Sequence, residues 1–230
     1  MTDILPKSLN RAQRLAFIRE HFGVGPKDLE TPQGLPEISC GTVSVITDAG
    51  DRHQLLVQWD AVRKQIYRDW EWLVVISSPE DSVWFEDSSA IHRFDGFKVR
   101  AVANFDEAFA QSGDQVLFLD DNTSFESAHI DSLLRLRSDI KALPSSVAVS
   151  DWVSLPKIGG WDMPEIHRSD WSYQHELPLG SVIFRRDLVQ GLIPDLFTRF
   201  PKTSWARKYL QALGRKRVIR TNKPTVAVFE

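Results

Sequence analysis

Val116-Leu117-Phe118-Leu119-Asp120-Asp121-Asn122 is a run of four apolar residues followed at once by two carboxylates and an amide. A short, wholly apolar run predicts a strand buried on both faces. In open α/β sheets ligands gather beyond the carboxyl ends of such strands. The acidic end therefore has two readings. Asp and Asn are turn formers, so the triplet can be a plain turn. Alternatively, hard oxygen donors fixed at a rigid strand end can hold a divalent cation such as Mg2+ or Mn2+, with a diphosphate supplying further ligands.

Outward from this run the chain repeats a strand-then-helix rhythm, which predicts a mostly parallel sheet covered by helices. Upstream, Thr42-Val43-Ser44-Val45-Ile46 is a first strand, and His53 to Ile66 carries Leu55, Leu56, Trp59, Val62 and Ile66 at helical spacing. Trp72 to Ile76 is a buried second strand and Phe97 to Ala101 a third. A short helix through Phe105, Ala108 and Phe109 stops at Ser112-Gly113. Downstream, Ala128 to Leu143 reads as a helix ended by Pro144, and Val147 to Ser150 as a strand. Residues 151–178 are rich in Trp, Pro and Gly and show little periodicity, so they are expected to form a long functional loop on the acceptor side. Ser181 to Phe184 is a strand, Trp205 to Leu213 a helix, and Val218 to Arg220 with Thr225 to Phe229 the last extended pieces. Residues 8–22 predict a leading helix and Pro26, Pro32, Gly34 and Pro36 a connector, giving a short N-terminal extension over 1–40 and one domain over 41–230.

Composition narrows the functions open to such a fold. Of 230 residues, 42% are hydrophobic and 26% charged, the balance of a globular protein. A net charge of −3 provides no general positive field for DNA or RNA, so nucleic acid is not an expected partner. Cys40 is the only cysteine, which excludes an intrachain disulfide and a cysteine-based zinc site and fits a reducing cytoplasm. No run approaches the roughly 18 apolar residues of a membrane span. No glycine-rich phosphate loop with a basic residue follows the first strand, which argues against a nucleotidyltransferase.

Four passages in order carry a resemblance: the strand VSVIT into the loop DAGDR, the run QIYRDWEWLVV, and AVANFDEAFAQSGDQ leading into VLFLDDN. Over about residues 42–140, and more loosely over 178–230, the chain resembles the family-2 glycosyltransferases. That resemblance implies a GT-A-like fold: a mostly parallel central sheet flanked by helices, which binds a nucleoside-diphosphate sugar and passes the sugar to an acceptor. It puts Asp120 and Asn122 on the outer positions of the family's DxD motif, as ligands to a divalent cation (Mn2+ or Mg2+) and diphosphate, with Asp121 between them. Thr47, Asp48 and Arg52 fall where the family holds base and ribose, and Asn104 matches its asparagine before the donor-side helix. From residue type alone, Thr47 and Asp48 equally suit an N-cap.

The chain also departs from the pattern. Ile76-Ser77-Ser78 stands where the family has an aspartate pair, leaving Ser77 at the base-binding position. Lys202-Thr203-Ser204-Trp205 matches the stretch with the catalytic aspartate, so the usual base position is Ser204. Inverting transfer requires a carboxylate to take the acceptor hydroxyl's proton. Glu176, beside His175, and Asp170 in the Trp-rich loop are the substitute candidates; an exposed loop residue or ion-pair partner is the plainer reading of Glu176. His167 and His175 are candidates to complete a metal shell, and Glu126, His129 and Asp131 read as helix-start residues. Trp152, Trp161 and Trp171 suit either a sugar-stacking platform or core packing. Arg215-Lys216-Arg217 suits either an anionic or lipid-linked acceptor or a solvated helix end. Two functions stay open: a metal-assisted glycosyltransferase acting on a glycan or lipid-linked acceptor, or a noncatalytic GT-A-like binding or assembly module.

Overall fold

The computed structural model describes residues 41–48, 52–76, 78–86, 99–120, 123–138, 147–155, 165–167, 177–193, 195–214 and 218–229. The leading helix and connector expected over 1–40 lie outside them, as do Trp161, Trp171 and the basic run 215–217. The first half alternates strictly: β1 (Val43–Asp48), α1 (Arg52–Arg63), β2 (Trp70–Val75), α2 (Pro79–Glu86), β3 (Val99–Val102), α3 (Phe105–Gln111) and β4 (Gln115–Leu119). β1 lies between β2 and β4, parallel to both, and β3 extends the sheet parallel to β2. β8 (Ile183–Arg185) closes the other edge antiparallel to β4, giving the order β3-β2-β1-β4-β8.

The apolar runs become central strands because a parallel sheet with helices on both faces leaves neither side to water. Trp72, Leu73, Val74, Leu117 and Phe118 are all buried, each contributing about 1.5–3 kcal/mol of hydrophobic stabilisation for a large aliphatic or aromatic side chain. α1 docks through Leu55, Trp59 and Val62, one face at helical spacing, and Trp59 stacks on Trp72 with ring centroids 5.4 Å apart. α3 is capped as its sequence demands. Asn104 accepts from the Glu107 amide at 2.8 Å, and the Glu107 carboxylate accepts from the Ala103 amide at 2.8 Å. α2 was not among the expected elements, although Ser78-Pro79-Glu80-Asp81 is a helix-start sequence: the Ser78 hydroxyl accepts from the Asp81 amide at 3.4 Å.

A second sheet, ordered β5-β9-β6-β7, is built from β5 (Thr123–Phe125), β6 (Val147–Leu155), β7 (Glu165–His167) and β9 (Val218–Phe229). It corrects the sequence reading in two places. The expected loop over 151–178 begins as strand: β6 runs on to Leu155 and β7 pairs back onto it through Trp152–His167. Trp152 is buried there, so its role is packing and not that of a sugar platform. The two C-terminal extended pieces are one strand, β9, which runs parallel to β6 and antiparallel to β5. Pro224 lies inside it opposite Asp151, where the β6–β9 register shifts, the kind of irregular position at which a strand accepts proline.

α4 (His129–Ser138) links the sheets. Its first-turn amide at Ile130 donates to Gln65 Oε1 at 3.1 Å, while Gln65 Nε2 donates to the Ala61 and Glu126 carbonyls at 3.0 and 2.8 Å. This buried glutamine is the one that opens the QIY passage. The C-terminal helices α5 (Arg186–Leu192), α6 (Leu196–Arg199) and α7 (Trp205–Leu213) pack under β4 and β8. Tyr209 of α7 stacks on Phe184 and accepts from the Arg185 amide at 2.9 Å. Among the described residues no helix is long and apolar enough to cross a membrane.

Candidate functional site

The strand order reverses between β1 and β4, and a sheet of this kind opens a crevice at its carboxyl edge where that happens. Thr47 pairs with Leu119, so the residues that follow, Asp48 and Asp120, leave the sheet side by side. A third element meets them: the short 3-10 turn Lys202–Ser204 delivers the Lys202 ammonium, 2.8 Å from Asp120 Oδ1 and 3.6 Å from Asp48 Oδ2. The side chains are 30% exposed for Lys202, 39% for Asp48 and 23% for Asp120, which leaves all three within reach of a ligand in solution. Lys202 also lies 5.5 Å from the centre of the Phe105 ring.

The turn is held in place by aromatic packing. Trp205, which follows it, meets Phe105, Phe118 and Phe197 at centroid distances of 5.0, 5.5 and 4.7 Å. Its indole N–H donates to the Phe200 carbonyl at 2.8 Å. Ser204 is buried, and both its amide and its hydroxyl donate to the Pro201 carbonyl, at 2.9 and 2.8 Å. The residue at the family's base position is thus a turn-forming serine. Lys202, two residues earlier, is the group of this segment that reaches the strand ends.

The structure places the other expected residues unevenly. Thr47 is fully buried, and its hydroxyl accepts from the Trp72 indole at 2.9 Å, a tie between β1 and β2. Asn104 is exposed and caps α3. Arg52 opens α1, four residues after Asp48. Asp121, Asn122, Ser77, Asp170, His175 and Glu176 lie outside the described residues, and His167 stands on β7. At Asp120 the backbone forms a turn, its carbonyl accepting from the Thr123 amide at 3.1 Å, while its carboxylate pairs with Lys202. Sequence reasoning missed Lys202 as a site residue. The available signal was its place in the stretch matching the family's base, where a cation stands near the missing carboxylate.

The donor chemistry at Asp48 and Asp120 suits a hard divalent cation, since carboxylate oxygens are the ligands such ions take. Among the described residues no three His, Cys, Asp or Glu side chains cluster to hold a metal.

Away from the crevice, His129 is fully buried, with Nδ1 2.7 Å from Thr225 Oγ1 and Nε2 2.8 Å from the Gly180 carbonyl. Its ring stacks on Phe125. Burial pulls its pKa down to about 3, against the opposing hydrogen bond to Gly180. It opens α4, as the sequence suggested, and also bridges that helix to β9 and the turn before β8.

No protein-family model matches the chain, and comparison with the curated proteins finds no match. Among solved structures it is similar to S. aureus TarS, with a TM-score of 0.54 and 15% identity, over 82% of this chain and 37% of that one. It is also similar to the mannosyltransferase PcManGT from Pyrobaculum calidifontis, solved with GDP-Man and Mn2+. That match has a TM-score of 0.50 and 16% identity, over 94% of this chain and 67% of that one. The chain thus spans little more than a third of TarS and two thirds of PcManGT. At such identities the likeness concerns architecture, and with the strand order and helical layers described above it shows that the chain has the GT-A-like glycosyltransferase fold.

Proposed function

We propose that the chain is a glycosyltransferase that binds a nucleoside-diphosphate sugar in the crevice between β1 and β4 and transfers the sugar to a glycan or lipid-linked acceptor. The observation that carries this reading is the meeting of Asp48, Asp120 and Lys202 at the point where strand order reverses, the place an α/β sheet offers a nucleotide. The mannosyltransferase with the same fold binds GDP-Man with Mn2+, which supports the same ligand class here. In this reading Asp120 and Asn122 hold a divalent cation, which when bound supplies charge to stabilise the departing diphosphate. The resemblance assigns Asp48, Arg52, Ser77, Asn104 and Asp121 to the nucleotide, along with Thr47, which is buried in β1. Glu176 or Asp170 takes the proton of the acceptor hydroxyl as it attacks the anomeric carbon.

The test is calorimetric titration with a panel of nucleoside diphosphates in the presence of Mn2+, followed by hydrolysis assays with the matching donor sugars. The expected result is nucleotide binding, together with slow donor hydrolysis that Asp120→Ala abolishes. Absence of binding across the panel would sink the reading. A second reading, a noncatalytic module of a glycan-building system, is favoured by one observation: Ser204, at the base position, is committed to its own turn. Binding without any turnover, in wild type and on every donor, would select it.

A further inference from the structure

We propose that Lys202, which lies between Asp48 and Asp120, is a diphosphate-binding residue that competes with a divalent cation for the same carboxylates. The proposal deepens the nucleotide-sugar reading and rests on it. Its first ground is placement. The backbone around Lys202 is anchored at Pro201, Ser204 and Trp205 by the hydrogen bonds and rings described above. The side chain beyond Cα is a flexible four-carbon stem ending in a compact charge, so the ammonium can change partner without moving the turn.

The second ground is competition. One ammonium serves two carboxylates, at 2.8 and 3.6 Å, and the nearer carboxylate is the one expected to ligate the cation. Because Lys202 contacts Asp120 Oδ1, a divalent ion held by that carboxylate would compete with the ammonium for the same oxygens and repel it as a like charge. The diphosphate that accompanies the ion then presents the strongest negative charge nearby. A lysine is a recurrent phosphate partner as a point charge. Lys202 can thus pair either with the two carboxylates or with the departing diphosphate.

The proposal makes Lys202→Met act in opposite directions on two ligands. With Mn2+ alone as the probe, the variant is expected to bind several-fold more tightly than wild type, because the competitor has gone and both carboxylates are left without it. With GDP or UDP in the presence of saturating Mn2+, it is expected to bind about tenfold more weakly, the usual scale for losing a charge-assisted contact. Lys202→Arg, which keeps the charge, should stay near wild type in both titrations, and thermal unfolding of each variant checks that the fold is intact. Unchanged or weaker Mn2+ binding by Lys202→Met overturns the competition between lysine and cation. Unchanged nucleotide binding by the same variant overturns the diphosphate role while leaving the proposed function standing. Failure of wild type itself to bind any nucleotide overturns both.

Discussion

His129 shows how much a single side chain can be constrained by its partners. The Gly180 carbonyl can only accept, so Nε2 carries the ring proton and Nδ1 accepts from the Thr225 hydroxyl. Ser150 Oγ lies 2.6 Å from the Thr225 oxygen and accepts from the Thr225 amide at 3.2 Å, which continues the network into β6. Burial disfavours the charged ring and pulls the pKa down to about 3 from an ordinary value of 6.5. The unfolded chain therefore binds one more proton than the folded one between those two values. Its contribution to stability is full above about pH 6.5 and is lost progressively as pH falls towards 3, on the order of 1 kcal/mol per pH unit. Urea unfolding at a series of pH values should show this slope, and His129→Gln should flatten it in that window. An unaltered slope in the variant would mean that the histidine is already charged in the fold. The acidic residues at the strand ends, by contrast, are legible from the sequence, because an apolar run that stops at a carboxylate states where the strand ends. Lys202 is not legible, since its partners are 154 and 82 positions away by numbering (202 − 48 and 202 − 120).

At the scale of elements, α3 and the start of β4 carry separate consequences. Asn104 caps α3, so Asn104→Ala should cost about 1 kcal/mol in denaturant unfolding. A fall in nucleotide affinity in the same variant would show that the residue also meets the ligand, as the resemblance implies; capping alone leaves affinity unchanged. Gly113, at the turn into β4, donates to Ser44 Oγ at 2.7 Å, and a Cβ on it would lie 2.7 Å from the Thr42 carbonyl oxygen. The obstacle is backbone and cannot rotate away, so Gly113→Ala should destabilise by about 1–3 kcal/mol, read as a lower denaturation midpoint with unchanged slope. If the midpoint stays put, the strand start is more yielding than its geometry implies. Much of the parallel half of the fold was readable from the sequence, since β1, β2 and β4 are buried runs and α1 has an apolar face, whereas α2 was missed and β3 is half exposed. The loop expected over 151–178 was misread at 151–155 and 165–167, because β6 pairs with β9, whose residues lie far along the chain, and β7 pairs back onto β6.

At the scale of the molecule, two sheets share one apolar core. Trp72 and Phe118 of the first belong to the same cluster as Trp152 and Val226 of the second. Val149 bridges Val182 between them, and His129 ties α4 to both the turn before β8 and β9. Because these contacts would be lost together, unfolding followed by tryptophan fluorescence and by far-ultraviolet circular dichroism should give one coincident transition. Two resolved transitions would show that the sheets fold as separate units. What the amino-acid order settled unaided is local: where apolar runs stop, which helix faces are apolar, and that carboxylates stand at the ends of two strands. Those properties follow from the chemistry of neighbours within a few positions. Which strand ends become adjacent, which buried polar groups find partners, and which cation lies between Asp48 and Asp120 were decided by the tertiary structure, because each joins segments that only the closed sheets bring within hydrogen-bonding distance.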